Sequence, residues 1–249
     1  EIYTLSLHDA LPISSLLQDD LAAEIQETPP GERLLSEPEL AVKLGVSRTT
    51  LREAMRMFEG QGLIRRRQGV GTFVVDPKLA IESSFDVLES IETQAHRLGM
   101  NVVMGYHENR VDLAGEELAK KFGFSPTTLV QTVSRSISIG ERPVAYLVDT
   151  VPASILAQTS YSKGIDFNGS ILDLLIKEQA VPVSHSEAIF TAVPASQIIA
   201  KRLQLQRGDP ILKLDGLLFD LNNQVIDISQ SYYVPGFYKF RAIRQIHKG

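Results

Sequence analysis

Ser47-Arg48-Thr49-Thr50-Leu51-Arg52 places two guanidinium and three hydroxyl side chains within two helical turns. Arg65-Arg66-Arg67-Gln68-Gly69-Val70-Gly71-Thr72 adds a second basic run a short distance on. A guanidinium can donate two parallel hydrogen bonds to guanine O6 and N7, while threonine hydroxyls bond phosphate or touch a thymine methyl. Crowded at the start of a helix, Ser47, Arg48, Thr49, Thr50 and Arg52 suit the major groove, where N-terminal side chains read base edges and flanking groups hold phosphates. In the second run, Gly69 and Gly71 permit a tight turn, and a tip carrying Arg67 or Gln68 can enter the minor groove. The chemistry these residues offer is recognition of double-stranded DNA.

The elements that must position them are legible in the spacing. Leu16, Leu17, Leu21, Ala22 and Ile25 recur at helical intervals, and Pro29-Pro30-Gly31 ends that helix. Ser36 followed by Glu39 is a capping box opening a second helix that stops at Gly45. Ser47 caps a third, running to about residue 60, with Leu51, Ala54, Met55 and Phe58 as its buried stripe. Residues 63–75 read as two short strands around the basic tip. The whole predicts a winged helix-turn-helix over 15–75.

Charge follows the motif. The chain carries −5 overall, but residues 30–75 hold eight basic side chains against five acidic, a balance of +3, and the remainder carries −8. No apolar run approaches the roughly 18 residues of a membrane span. The chain has no cysteine, which excludes disulfides and fits a reducing cytoplasm, and its five histidines show no metal-ligand spacing. No metal, cofactor, catalytic residue or membrane association is expected. Residues 1–14 form no recognisable module and resemble a translated sequencing-adapter read-through, a non-native tail.

Asp76-Pro77 opens a linker expected over 76–84. Beyond it, helices are expected over 85–98, 113–122, 171–178 and 194–203. Strands are expected over 100–109 and 183–192, with hairpins over 129–151 and 211–234. The helix-plus-hairpin unit occurs twice, which suggests two related halves facing a cleft. Hairpins dominate, so the second domain, 85–249, should be α+β with an antiparallel sheet. Polar residues that interrupt its apolar strands are the pocket candidates: Arg135, Asp149, Glu187, Asp227, Ser229, Ser231 and Tyr233. Arg135 could pair an anionic ligand group, and a buried Asp149 would demand a partner.

The first domain closely resembles the GntR family of bacterial transcription regulators. The blocks Ser36-Glu37-Pro38-Glu39-Leu40-Ala41, Gly45-Val46-Ser47-Arg48-Thr49-Thr50-Leu51-Arg52-Glu53-Ala54, Glu59-Gly60-Gln61-Gly62-Leu63-Ile64 and Gly69-Val70-Gly71-Thr72-Phe73-Val74 stand in order. The resemblance implies DNA contacts from Arg48, Thr49, Thr50, Arg52 and Gly69. The family usually has Pro where this chain has Leu35, and a DNA-contacting Arg where it has Pro38. The second domain resembles the UTRA effector domain of the HutC-type subfamily, with a chorismate-lyase-like fold. That rests on Arg135, Gly140-Glu141-Arg142-Pro143-Val144-Ala145, Gly169-Ser170-Ile171-Leu172-Asp173-Leu174-Leu175, Gly208-Asp209-Pro210-Ile211-Leu212 and Ser231-Tyr232-Tyr233. It implies ligand contacts from Arg135, Asp149, Asp227 and Tyr233. Relatives that bind phosphorylated sugars tend to carry a second Arg where this chain has Ile137, so a mono-anionic or zwitterionic metabolite is as well accommodated. The expected function is that of a homodimeric repressor released from a palindromic operator by a small, anionic metabolite. The alternatives are a lyase-like α+β enzyme, for which no nucleophile–base pair is evident, and an architectural DNA-binding protein without a pocket.

Overall fold

The computed structural model describes residues 13–60, 62–67, 69–75, 81–84, 87–163 and 169–241. Its contacts divide the chain into two units, Glu1–Ala80 and Ile81–Gly249.

In the first unit, α1 (Ile13–Glu27) precedes α2 (Glu37–Lys43) and α3 (Arg48–Gly60), and a hairpin follows from β1 (Ile64–Arg67) and β2 (Gly71–Val74). Leu17, Leu21 and Ile25 of α1 meet Leu40 and Ala41 of α2, and Leu51, Ala54, Met55 and Phe58 of α3, in one buried cluster that Ile64 and Val74 close. The predicted stripe is therefore the core. Ile13 and Ser14 belong to α1, so the helix takes in the end of the segment set aside as a tail.

The residues before α2 add a feature the sequence did not advertise. Gly31 donates to the Val74 carbonyl (2.9 Å), Leu34 to Thr72 (2.8 Å), and Val74 donates back to Glu32 (2.9 Å). Residues 31–34 thus run along β2 as a third extended strip and brace the hairpin.

The second unit opens with β3 (Ile81–Ser84), followed by α4 (Ile91–Arg97), β4 (Val102–Leu113), α5 (Gly115–Phe122), β5 (Leu129–Ile139) and β6 (Arg142–Pro152). Then come α6 (Ala153–Leu156), a 3-10 turn at Ser160–Lys163, α7 (Ile171–Glu178), β7 (Val183–Pro194), α8 (Gln197–Leu203), β8 (Pro210–Asp220), β9 (Val225–Tyr233) and β10 (Tyr238–Arg241). Six strands form one antiparallel sheet in the order β4-β5-β6-β9-β8-β7, and β10 pairs with β3 in parallel. The sheet order carries the internal repeat: β4-α5-β5-β6 and β7-α8-β8-β9 meet at the central β6–β9 pair.

Two expectations are corrected here. The linker expected over 76–84 ends in a strand, because Ile81–Ser84 pairs with β10; residues 76–80 lie outside the described residues. The helix expected over 85–98 begins at Ile91, because the Ser90 hydroxyl caps it by accepting from the Thr93 N–H (3.0 Å), with Ser90 itself in extended conformation. Helices α6 and α7 pack Ile155, Leu156, Ile171, Leu174 and Leu175 on Val133, Val151 and Leu218, while α5 sets Ala119 and Phe122 against Val130, Phe219 and Val225.

Candidate functional site

On the first unit, Ser47, Arg48, Thr49, Thr50 and Arg52 all lie exposed at the start of α3. Two of them are partly committed to the helix. The Ser47 hydroxyl accepts from the Thr50 N–H (3.1 Å) and shares a hydrogen bond with the Thr50 hydroxyl (2.8 Å), so Ser47 satisfies an orphan donor of the first turn. The capping box before α2 is present as well: the Glu39 carboxylate accepts from the Ser36 N–H (2.9 Å) and hydroxyl (2.6 Å), which holds Glu39 below the usual carboxylate range. Arg52 Nε donates to Glu37 (2.6 Å), and the other oxygen of the same carboxylate takes Arg66 from β1. Glu37 therefore ties the recognition helix to the wing, a link that spacing alone could not reveal. Among the described residues Arg48 has no such partner, and it presents a free guanidinium.

The wing turn places Gly69 exposed with φ +75°. The Arg67 side chain and Gln68, both expected at its tip, lie outside the described residues. Gly71 is required for another reason: its φ is +138°, and a Cβ there would overlap the Arg33 guanidinium. Arg33, Glu37, Pro38, Arg66 and residues 69–72 line an open cleft between the start of α2 and the wing. Arg33 brings a cation to this cleft, which Pro38 also lines in place of the family's usual Arg.

On the second unit a cavity of about 410 Å³ sits against one face of the sheet, within the range of small-molecule sites. The register builds it row by row. Arg135, Leu147, Ser231, Leu214 and Phe190 are successive cross-strand partners; Asp149, Ser229, Gly216 and Ala188 form the next row, and Asp227, Leu218 and Ser186 the third. A side chain on Gly216 would press on the Ser229 hydroxyl, so glycine keeps that row open. Six expected residues, Arg135, Asp149, Asp227, Ser229, Ser231 and Tyr233, line this one cavity. Glu187 does not. It is exposed opposite Leu217 on the other face, because a bulge between Val183 and His185 shifts the alternation, so Ser186, Ala188 and Phe190 turn inward instead.

Electrostatics distinguish this cavity. Arg135 is 3% exposed and is held by Asp149 and, through Nε, by Glu92 of α4 (3.2 Å). Burial opposes its charge, but Asp149 and Glu92 outweigh that and strengthen it. The guanidinium is thus already paired within the protein, by the carboxylates of Asp149 and Glu92. Asp227, buried, accepts from the Thr150 N–H (3.1 Å), and burial followed by the Asp149 charge raises its pKa well above the usual value. Burial pushes the Tyr233 hydroxyl up to about 12.

Sequence reasoning missed the lid. From α4 come Ser90, Glu92 and Gln94, from α7 the cap Ser170 and Leu172, and from β10 Tyr238 and Phe240. Ser90 and Thr93 both donate to Asp173 of α7 (2.6 and 3.0 Å), locking the two helices together. The one available signal was Ser90 as a cap; β10 gave none, since its partner β3 lies far away in sequence. Among the described residues no cluster of acidic or histidine side chains is placed to hold a metal ion, and no helix is long and apolar enough to cross a membrane.

The model of the bacterial regulatory proteins of the gntR family matches residues 13–74, and that of the UTRA domain matches residues 97–239, more than half the chain. The HTH-type transcriptional repressor NagR of Bacillus subtilis is 26% identical over 232 residues, covering 92% of this chain and 93% of that protein. A histidine utilization repressor of Pseudomonas putida is 29% identical over 187 residues, covering 74% and 72%. The crystal structure of PhnF from Mycobacterium smegmatis shares the fold with a TM-score of 0.63 at 19% identity, over 92% of this chain and 99% of that one. The chain therefore belongs to the UTRA-domain branch of the GntR family of helix-turn-helix transcription regulators.

Proposed function

We propose that this regulator is a repressor whose hold on DNA is set by a small molecule bound in the second unit. DNA is read by Arg48 and Thr49 at the start of α3, with Arg52 and Gly69 of the wing contributing phosphate and groove contacts, and a two-fold dimer meets a palindromic operator. The observation that carries the reading is the path between the two chemistries. Strand β3 begins the second unit and is paired along its length with β10, whose Tyr238 and Phe240 line the cavity. A ligand that touches those rings acts on the strand into which the chain enters from the DNA-binding unit.

A ligand shifts the equilibrium only as far as it binds the two states differently, so an inducer must prefer the arrangement that does not hold DNA. The test uses a duplex selected from a random-sequence pool by the unliganded full chain. Compounds that raise the melting temperature are added to that complex, and fluorescence anisotropy follows release. Support is release by a cavity ligand that fails in the Phe240→Ala variant; DNA affinity indifferent to every such ligand would contradict the reading.

A further inference from the structure

We infer that the cavity takes a metabolite carrying an ammonium group, balanced by the carboxylates of Glu92, Asp149 and Asp227 and bordered by a cluster of aromatic rings. This rests on the regulator reading and sharpens it by naming the ligand's class.

Charge is the first support. Among the described lining residues Glu89, Glu92, Asp149 and Asp227 face a single guanidinium, Arg135. Glu89 is taken by Arg97 (2.9 Å), while Asp149 and one oxygen of Glu92 are taken by Arg135. His185 does not reverse this balance; its ring stacks on Phe219 and bonds the Ser184 hydroxyl. An incoming phosphate would find the guanidinium occupied and meet buried carboxylates. A cation would relieve the charge excess that Asp227 now meets by favouring its protonated form.

The second support is aromatic. Phe190, Tyr233, Tyr238 and Phe240 all line the cavity and form a continuous cluster, with ring centroids 4.8 Å apart for Phe190–Phe240 and Tyr233–Tyr238 and 5.2 Å for Tyr233–Phe240. Ring faces attract cations, and aromatic rings grouped with carboxylates recognise alkylammonium groups. The third support is a pair of unspent groups in the same lining: Glu92 Oε2 and the Tyr238 hydroxyl are buried without a hydrogen-bond partner among the described residues, and Tyr238 is 8% exposed. Buried polar atoms are rarely left so. Both can accept from an ammonium N–H or a ligand hydroxyl.

The experiment titrates the full chain with choline, glycine betaine and putrescine, with 3,3-dimethylbutan-1-ol as the neutral isostere of choline, and with glycerol 3-phosphate and inorganic phosphate as anions. Melting temperature and calorimetry are the readouts. The expected result is binding of an ammonium compound about tenfold tighter than its neutral counterpart, and about tenfold weakening by Asp227→Asn and by Glu92→Gln. The Glu187→Gln variant, altered outside the lining, should bind normally. The inference is overturned if no ammonium compound binds, if choline and its isostere bind alike, or if the phosphates bind through Arg135 instead. The two readings separate on the DNA complex. An ammonium compound that fills the cavity without changing DNA affinity leaves this inference standing and removes the regulatory one. Release of DNA by the phosphates does the reverse.

Discussion

Arg48 and Arg52 stand one helical turn apart on α3 and start from different states. Arg52 must share the Glu37 carboxylate with Arg66, whereas Arg48 is exposed and unpaired among the described residues. The Glu37→Gln substitution should therefore free two cations, raising affinity for a selected duplex several-fold at low salt and less at high salt, as screening predicts. Anisotropy titrations at two salt concentrations decide this; a fall in affinity would mean that Glu37 positions Arg52 rather than restrains it. In the cavity, Asp227 has a folded-state pKa raised above its unfolded value by burial and by Asp149, with Arg135 partly opposing. The sign follows: folding takes up a proton there, so the stability associated with this group is greatest at low pH and is lost as pH rises above the ordinary carboxylate range through the folded value. Asp227→Asn should flatten that part of the stability–pH profile in denaturant melts. An unchanged slope would show that another group titrates.

Elements explain which of these residues sequence could place. In the first unit α1 was legible from its apolar spacing, α2 from Ser36 with Glu39, and α3 from Ser47 with Thr50 together with Leu51 through Phe58 facing one cluster. Leu51, fully buried between the three helices, should cost about 2–5 kcal/mol when cut to Ala, read from chemical denaturation. A loss below 1 kcal/mol would mean the packing is not as described. Gly71→Ala should also destabilise, through its positive φ and the overlap with Arg33. The second unit was legible in its hairpins and in the i, i+2 face of β9, which delivers Asp227, Ser229, Ser231 and Tyr233 to one cavity. It was not legible where position depends on a distant partner. The bulge that turns Glu187 outward, the α4 lid that brings Glu92, and the parallel β3–β10 pair all follow from pairings remote in sequence, which leave no local periodicity.

At the scale of the whole molecule, a chain of net −5 binds a polyanion only by segregating its charge, and the +3 balance of residues 30–75 does so. Binding should then be strongly salt-dependent, with log K falling by about 0.9 per phosphate contact for each unit of log salt. In the second unit Glu89, Glu92, Asp149 and Asp227 line the cavity, and β10, which lines it too, pairs with β3. The most direct measurement is selection of duplexes from a random-sequence pool by the full chain, alongside Arg48→Ala. Recognition by α3 predicts an enriched, two-fold-symmetric sequence that the variant binds more weakly by about 1–3 kcal/mol for each contacted site, with its fold unchanged by circular dichroism. Failure to enrich any sequence, or equal enrichment by a folded Arg48→Ala protein, would contradict it.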